Sequence, residues 1–194
     1  MKLLFASQNQ NKVEEIRSLL PQFIDLVGLN DLGFNDDIPE TADTLEGNAL
    51  QKAHYLAKTI DFPIFSDDTG LEIESLNGEP GVYSARYADA EKKDAEANMD
   101  LVLKKLEGKS NRNAQFRTAI AFVDKEQEFV FEGIVKGRIL ETRSGEKGFG
   151  YDPIFCPEES QKSFAEMSLE DKNKCSHRAR AIKKFVDFLN KTYA

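Results

Sequence analysis

Asp67, Asp68 and Thr69 place two carboxylates and a hydroxyl side by side in the sequence. They lie between the apolar runs 62–65 and 71–73, which predict two short strands, so we expect the acidic pair on a turn that ends at Gly70. Mg²⁺ prefers oxygen ligands and usually takes one or two protein carboxylates, leaving its other positions to water and substrate phosphates. Because Asp, Thr and Gly are also ordinary turn residues, a solvated acidic turn is the alternative interpretation.

The segment 7–12 is a candidate for binding phosphate. It follows an apolar strand predicted at 2–6 and precedes apolar residues at helical spacing, so it is a strand-to-helix turn. A helix start offers backbone N–H groups and the positive end of the helix dipole. Ser7, Asn9 and Asn11 add donors and Lys12 adds a charge, although helix capping by an asparagine explains the pattern equally well. The glycines of a Walker loop are missing.

A second helix is predicted at 44–60, with Asp43 or Thr44 as its cap. Lys52 follows Asn48 by one turn and lies outside the apolar stripe, so both side chains can point into a binding site or into solvent. The preceding loop, 33–43, is acidic and contains Glu40. Most acidic runs are solvated, so Glu40 alone is a weak candidate for a metal ligand.

Two later segments carry side chains suited to a nucleobase. Gly148 and Gly150 flank Phe149, whose ring is placed either to stack on a base or to fold into the core. A helix predicted to begin at Ser168 has polar and charged side chains near its start, at Lys172, Ser176, His177 and Arg178. Between the two halves of the chain, Asp89 is expected to cap a structural helix, and 114–124 with 128–140 predict a hairpin.

The length, the net charge and the cysteine count of the chain narrow the class of protein. A chain of 194 residues can form one sizeable core, so we expect a single domain spanning 1–194, with two lobes. The net charge of −8 argues against nonspecific binding to nucleic acid or to an anionic membrane. No apolar run is long enough to cross a bilayer, which predicts a soluble, cytoplasmic protein. Cys156 and Cys175 support neither a disulfide framework nor a Cys-rich zinc site.

Six motifs, in this order, resemble the inosine triphosphate pyrophosphatases, the Ham1/RdgB-like family, over nearly the whole chain. They are Ser7-x-Asn9-x-x-Lys12 with Glu40, Thr44-x-x-x-Asn48-Ala49-x-x-Lys52-Ala53, Asp67-Asp68-Thr69-Gly70-Leu71, Pro80-Gly81-x-x-Ser84-Ala85-Arg86-Tyr87, Gly148-Phe149-Gly150-Tyr151-Asp152-Pro153 and Ser176-His177-Arg178. Each motif alone is weak, and the combination is specific. Two small departures are Thr69, where the family usually has serine, and Leu45, where an aromatic residue is common.

The resemblance implies an α/β fold with a long mixed β-sheet flanked by helices, in two lobes with a nucleotide cleft between them, related to the Maf fold. It implies an enzyme that hydrolyses ITP, dITP and XTP to the monophosphate and pyrophosphate, removing deaminated purines from the nucleotide pool. It also implies Mg²⁺ as the cofactor and a homodimer.

The family's functional residues fall on matching positions here. The implied phosphate-binding turn comprises Ser7, Gln8, Asn9, Gln10, Asn11 and Lys12, with Lys52 as a second cation and Thr69 as a further substrate contact. Glu40 and Asp68 resemble the metal ligands, and Asp68 also resembles the general base. The implied base-binding set comprises Phe149, Gly150, Tyr151, Asp152, Lys172, Ser176, His177 and Arg178.

Two rival functions remain at this stage. A Maf-type pyrophosphatase would act on pyrimidine or modified nucleotides, but it lacks the Ser-His-Arg and Gly-Phe-Gly-Tyr-Asp-Pro motifs that stand here. A nucleotide-binding sensor would bind without hydrolysis, and it has less need of Glu40 and Asp68. A haloacid-dehalogenase-type phosphatase is excluded, because Asp67-Asp68-Thr69 does not match its Asp-x-Asp-x-Thr loop.

Overall fold

The structure is a computed structural model that describes residues 1–34, 36–125 and 127–193. Five helices and six strands of it position the candidate site. The strands are β1 (Lys2–Phe5), β2 (Asp25–Gly28), β3 (Ile64–Ile73), β4 (Asn113–Asp124), β5 (Gln127–Ile139) and β6 (Phe155–Pro157). The helices are α1 (Gln10–Arg17), α2 (Leu45–Ala57), α3 (Ala95–Lys105), α4 (Leu169–Cys175) and α5 (His177–Tyr193).

The six strands form one mixed sheet in the order β2-β1-β3-β4-β5-β6. β1 is parallel to β2 on one side, with Leu3 opposite Leu26, and parallel to β3 on the other, with Phe5 opposite Phe65. β6 is antiparallel to β5. The expected mixed α/β sheet flanked by helices is therefore confirmed. The predicted hairpin corresponds to β4 and β5, and Glu126 in its turn lies outside the described residues.

The acidic pair does not lie on a turn, and that expectation was wrong. Asp67 and Asp68 stand in the middle of β3, a single ten-residue strand, where they are 1% and 9% exposed. Charged residues in the interior of a sheet require compensating partners. The partners come from α1, α2 and α5, which are distant in the sequence, so the local pattern of Asp, Thr and Gly gave no sign of them.

Helix starts follow the capping rules at most positions. Thr44 caps α2 by accepting from the Gly47 amide at 3.0 Å, and Ser168 caps α4 by accepting from the Asp171 amide at 3.1 Å, as expected. The helix expected after Asp89 instead begins at Ala95, with Asp94 as its cap. Asp89 caps a turn by accepting from the Glu91 amide at 2.9 Å. Both aspartates suit a cap, and the structure uses the one that immediately precedes the helix.

The chain divides into two compact units. Unit 1 comprises Met1–Asp68, Thr118–Gly133 and Arg178–Ala194, and unit 2 comprises Thr69–Arg117 and Ile134–His177. In unit 1, alternate residues of β1 enter two hydrophobic clusters, as the two-residue period of a strand requires. Leu3 and Phe5 pack with residues of α1 and α5, whereas Leu4 packs with Ala53 and Leu56 of α2 and related apolar residues. The ring centroids of Phe5 and Phe65 are 4.7 Å apart.

Unit 2 has one hydrophobic cluster of its own. Leu71 and Ile73 of β3 pack there with Met99 and Val102 of α3, and the other buried members include Phe116, Val135, Tyr151, Phe155 and Phe164. The rings of Phe116 and Phe155 lie 4.7 Å apart in an edge-to-face arrangement. Among the described residues, no helix is long and apolar enough to span a membrane.

Candidate active site

Asp67 is a buried carboxylate in unit 1 with two cationic partners. Lys12 Nζ lies 3.0 Å from Asp67 Oδ1, and Arg178 Nε lies 3.3 Å from Oδ2. The other end of the guanidinium forms an ion pair with Glu15 of α1. Burial alone would raise the pKa of the Asp67 carboxyl, but Lys12, Arg178 and Lys52 outweigh burial and hold that pKa well below its usual range. Asp67 is therefore fixed in its ionised form.

Asp68 has a different environment, because successive side chains of a strand point to opposite faces of the sheet. Asn48 Nδ2 donates to Asp68 Oδ2 at 3.1 Å, and Lys52 Nζ lies 3.7 Å from Oδ1. Burial raises the pKa of Asp68, the two lysines Lys52 and Lys12 only partly oppose that effect, and Glu40 adds repulsion. Asp68 is thus the carboxylate of the pair that can accept a proton more readily.

Lys52 contacts the carboxylates of Glu40 and Asp68 and the backbone of Asp67. Its ammonium donates to the Asp67 carbonyl oxygen at 2.7 Å and to Glu40 Oε1 at 3.3 Å. Burial lowers the pKa of Lys52, but Asp68, Glu40 and Asp67 outweigh burial and raise it. Asn48 and Lys52 lie one turn apart on α2, and both are buried, so the helix directs them to the strand and not into bulk solvent.

The oxygens around Lys52 suit a hard divalent cation. Glu40 and Asp68 are carboxylates that contact the same ammonium group, and the Glu40 side chain is 32% exposed. No group of three or more potential metal-ligating side chains occurs in the described ranges. Two carboxylates could hold a divalent cation whose remaining positions are left to water and phosphate, and they do not form the ligand set of a structural zinc site.

The turn before α1 is arranged as a helix cap. Asn9 Oδ1 accepts from the backbone amides of Asn11 at 3.0 Å and Lys12 at 3.3 Å, which confirms the capping interpretation of this residue. Ser7 Oγ accepts from the Asn9 amide at 3.2 Å, and Gln8 donates to the Asp36 carbonyl oxygen at 3.2 Å. Gln8, Asn9, Gln10 and Asn11 are exposed, so their polar atoms are accessible to a ligand. Phosphate binding at this turn stays a prediction.

Unit 2 contains a second buried ion pair, beside an aromatic ring. Lys172 Nζ lies 2.7 Å from Asp152 Oδ2, and the same oxygen accepts from the Phe149 amide at 2.8 Å. The ammonium also lies 4.9 Å from the centroid of the Phe149 ring. Phe149 is half-buried, so part of its side chain is accessible. Gly148 has φ +75°, and a Cβ there would collide with the Asp152 carboxylate.

The remaining predicted residues have other neighbours. The His177 ring stacks on the ring of Phe116, with the two ring centroids 4.6 Å apart. Ser176 ends α4 by donating its backbone amide to the Lys172 carbonyl oxygen. Arg178 pairs with Asp67 and Glu15. Tyr151 is buried, and its hydroxyl donates to the Ser84 carbonyl oxygen at 2.8 Å. Thr69 is half-buried on β3, and Gly150 is half-buried with φ +63°. The structure thus brings together Phe149, Asp152 and Lys172 in one set, and Lys12, Lys52, Asp67 and Asp68 in another.

Glu15 was not among the predicted residues. It is 7% exposed and pairs with Arg178. A sequence signal existed, because Glu15 lies between Val13 and Ile16 on the buried side of α1, three residues after Lys12. An acidic residue on the apolar side of an amphipathic helix indicates a buried cationic partner.

The fold is that of an α/β protein with a mixed sheet. In unit 1, two carboxylates on β3 are paired with lysines from α1 and α2, and unit 2 contains the set formed by Lys172, Asp152 and Phe149. The chain belongs to the Ham1 family, whose family model matches residues 3–188. It is 52% identical over 192 residues to the dITP/XTP pyrophosphatase of Flavobacterium johnsoniae, covering 99% of this chain and 100% of that one. It is 45% identical to the dITP/XTP pyrophosphatase of Bacillus subtilis, covering 96% of each chain. The solved structure of the Staphylococcus aureus Ham1 protein is similar, with 39% identity, a TM-score of 0.89 and coverage of 98% of this chain and 99% of that chain.

Proposed function

We propose that this protein hydrolyses nucleoside triphosphates of deaminated purines, such as ITP, dITP and XTP, to the monophosphate and pyrophosphate. The relatives named dITP/XTP pyrophosphatase match this chain over nearly its full length. The observation in the structure that carries the proposal is the unequal carboxylate pair on β3. Asp67 is held ionised by cations, and Asp68 has a raised pKa beside an exposed acid and a lysine.

Asp68 serves in this proposal as the general base. A water molecule attacks the α-phosphorus, Asp68 accepts its proton, and the bond from the α-phosphorus to the bridging oxygen breaks to release pyrophosphate. A base is most effective when its pKa lies near the working pH, and burial raises the pKa of Asp68 in that direction. The hydrogen bond from Asn48 to Oδ2 fixes the carboxylate orientation and leaves Oδ1 on the side of Lys52.

Lys12 and Lys52 neutralise the triphosphate. Phosphoryl transfer depends mainly on positioning and on stabilising charge on phosphoryl oxygens, so fixed cations are more useful than a covalent nucleophile. Lys12 is held by Asp67, and Lys52 is held by the Asp67 carbonyl oxygen and Glu40. The exposed turn 7–11 adds further polar donors for phosphate oxygens.

Glu40 and Asp68 would hold Mg²⁺, and Asp68 would combine this role with that of the base through different oxygens or through a shared water. When bound, the ion supplies further positive charge to the phosphate oxygens. Both carboxylates already contact the ammonium of Lys52, which repels Mg²⁺. The negative charge of a bound triphosphate would offset this repulsion. Cofactor binding and substrate binding are therefore expected to depend on each other.

Base selection is assigned to Phe149, Asp152 and Lys172, with Ser176, His177 and Arg178 as further members. The 6-oxo purines present an acceptor at O6 and a donor at N1, whereas adenine presents the reverse pattern. A lysine donor beside a carboxylate acceptor matches the 6-oxo pattern and leaves adenine with unsatisfied groups, which is the strong route to discrimination. Phe149 supplies a ring for stacking, which is worth about 1–3 kcal/mol per base.

The decisive experiment is a product assay. The protein is incubated with Mg²⁺ and, separately, with ITP, XTP, dITP, GTP, ATP or UTP, and the phosphate species is identified. We expect pyrophosphate, with the highest kcat/KM for ITP, XTP and dITP. Release of orthophosphate, or equal turnover of ITP and ATP, contradicts the proposal. Preferred turnover of UTP identifies the Maf-type alternative, and tight binding without turnover identifies the sensor.

We also propose that the 194 residues act as one catalytic domain and that two copies form a homodimer. The protein would work in the cytoplasm, where it would remove deaminated purine nucleotides. No nucleic acid or membrane is required for this role. Light scattering coupled to size-exclusion chromatography tests the dimer, since a monomer has a mass of 21.9 kDa.

A further inference from the structure

The motif Pro80–Tyr87 has no part in the chemistry proposed above, yet unit 2 contains an unusual concentration of hydrogen bonds around one of its residues. Ser84 is 7% exposed. Its hydroxyl accepts from the Leu71 amide at 2.9 Å and donates to the Gly81 carbonyl oxygen at 2.6 Å. Ser84 thus joins the short 3-10 helix Gly81–Arg86 to β3.

Asn98 of α3 fixes the other side of the same segment. Its side-chain nitrogen donates to the carbonyl oxygens of Ser84 at 3.3 Å and Ala85 at 3.0 Å, and its side-chain oxygen accepts from the Ala88 amide at 2.7 Å. Asn98 is 3% exposed. Three hydrogen bonds from one buried amide hold the backbone of the segment in a single position relative to α3.

The Ser84 carbonyl oxygen then accepts a second hydrogen bond, from the hydroxyl of Tyr151 at 2.8 Å. A carbonyl oxygen has two lone pairs, so it can serve Asn98 and Tyr151 together. Burial raises the pKa of the Tyr151 hydroxyl, which keeps it a donor. Tyr151 lies between Gly150 and Asp152, and the loop around it also carries Phe149.

The backbone of this loop turns at two glycines. Gly148 and Gly150 both have positive φ, at +75° and +63°, so the residues on either side of Phe149 are conformationally permissive. Backbone hydrogen bonds, such as the one that the Asp152 amide donates to the Phe149 carbonyl oxygen at 3.3 Å, hold part of the loop, and side-chain anchors add to them. One anchor is the Asp152 carboxylate, which accepts from the Phe149 amide, and another is the Tyr151 hydroxyl on Ser84.

We propose that Ser84, Asn98 and Tyr151 are positioning residues that fix the loop 148–152, which carries Phe149. Tyr151 acts through its hydrogen bond to Ser84 and not as a nucleotide contact. The inference rests on the proposed function for its effect on selectivity, but its effect on the loop is independent of any activity. It assigns the Pro80–Tyr87 motif a role in selecting the base.

The test is Tyr151→Phe, which removes one hydroxyl and retains the packed ring. Tyr193→Phe is the matched control, because the Tyr193 hydroxyl also donates to one partner, Asp124 Oδ2 at 2.7 Å, in unit 1. The first measurement is hydrogen exchange of the protein without nucleotide. In Tyr151→Phe we expect faster exchange of the backbone amides of 148–152, including Phe149, and in Tyr193→Phe we expect no change in that segment.

The second measurement is kcat/KM for ITP and ATP. In Tyr151→Phe the ITP/ATP ratio is expected to fall by roughly 3–10-fold, the effect of one hydrogen bond, mainly through a higher KM for ITP. Tyr193→Phe should retain the wild-type ratio. A purely structural role would lower the melting temperature of Tyr151→Phe and leave both the ratio and the loop exchange unchanged, and that result would overturn the inference.

A double-mutant cycle tests whether Ser84 and Tyr151 act through the same connection to the loop. Ser84→Ala removes the hydroxyl that ties the segment to Leu71, so we expect it to shift loop exchange and the ITP/ATP ratio in the same direction as Tyr151→Phe. The double variant should be little worse than the stronger single variant, because both changes interrupt one connection. Full additivity contradicts the connection. If the wild type shows no ITP preference, the proposed function fails, and the exchange data on 148–152 still decide this inference.

Discussion

The two charged sets of the molecule are built in opposite ways. In unit 1, Asp67 and Asp68 stand on a ten-residue strand and receive lysine, arginine and asparagine side chains from helices. In unit 2, Asp152 follows a loop with two positive-φ glycines, and its carboxylate itself orders the loop by accepting from the Phe149 amide. The first set is positioned by regular structure, and the second is positioned by hydrogen bonds.

This difference matches the demands of the two chemistries. Attack on phosphorus requires a base and cations held to within a fraction of an ångström, which strands and helices provide. Selecting a base requires a partly accessible ring beside a donor and an acceptor, and here the half-buried Phe149 of the loop lies beside the buried Lys172–Asp152 pair. We therefore expect substitutions in unit 1 to change kcat or the free energy of unfolding, and substitutions in unit 2 to change KM and selectivity.

The largest effect is expected from Asp68→Asn. The variant retains the shape of the side chain but loses the base, so kcat with ITP should fall by about 10²–10⁴-fold. Nucleotide affinity, measured by calorimetry with ITP on the inactive variant, should change much less. Asp61→Asn, an equivalent change at an exposed position before β3, is the control and should retain wild-type kcat. Wild-type turnover by Asp68→Asn would remove Asp68 from the mechanism.

Asp67→Asn should instead destabilise the fold. Arg178 would lose the buried carboxylate that balances its charge, and Lys12, whose pKa burial already lowers, would lose the carboxylate that opposes this shift. Breaking a buried pair costs about 3–5 kcal/mol of the free energy of unfolding. Urea denaturation measures the loss. The control is Glu72→Gln on the same strand, whose pair with Arg117 is about one fifth exposed and should contribute about 1 kcal/mol or less.

The destabilisation by Asp67→Asn should also depend on pH. Because the folded protein holds the pKa of Asp67 below its usual value, the carboxylate stabilises the fold above the ordinary Asp range, and this stabilisation is lost as pH falls through the folded pKa. Wild type and Asp67→Asn should therefore become more alike in strong acid. A difference between them that is constant from neutral pH into strong acid would contradict the assigned charge pairing.

Phe149→Ala is the corresponding change in unit 2. Loss of the stacked ring should raise KM for ITP by about 5–150-fold, equivalent to the roughly 1–3 kcal/mol of one base–aromatic contact, with a smaller change in kcat. Phe129→Ala is the control, since Phe129 is 39% exposed and packs on Phe188 in unit 1. Steady-state kinetics with ITP distinguishes the two. A loss confined to kcat would show that Phe149 acts on the reaction and not on the base.

Local sequence patterns predicted the strands and helix caps that depend on interactions between residues close in the sequence. The strand at β1, the Thr44 cap, the Ser168 cap and the asparagine cap before α1 all follow from spacing and side-chain chemistry over a few residues. Asp89 satisfies the same capping rule as Asp94, so the sequence favours either residue, and which of the two is used depends on where α3 packs.

The unequal environments of Asp67 and Asp68 could not be predicted from the pair itself. Their partners come from positions 12, 48, 52 and 178, and long-range packing alone brings these residues to β3. The family resemblance supplied Lys12, Lys52 and Arg178 as functional residues without stating which carboxylate each one contacts. For Arg178 the structure adds a buried pair with Asp67 and Glu15, and its predicted contact with a base stays a prediction.

The smallest expected effect is a difference in thermal stability between Asp68→Asn and wild type, measured without metal or nucleotide. The folded pKa of Asp68 is raised, so its ionised form opposes folding, and this cost appears as pH rises from the ordinary Asp range through the folded pKa. Asp68→Asn should therefore unfold at a higher temperature than wild type at neutral pH in EDTA, and the difference should vanish in acid. Thermal denaturation at several pH values measures this. Two adjacent Asp→Asn changes would then shift stability in opposite directions, and destabilisation by both would show that Lys52 pairs with Asp68 more strongly than burial opposes it.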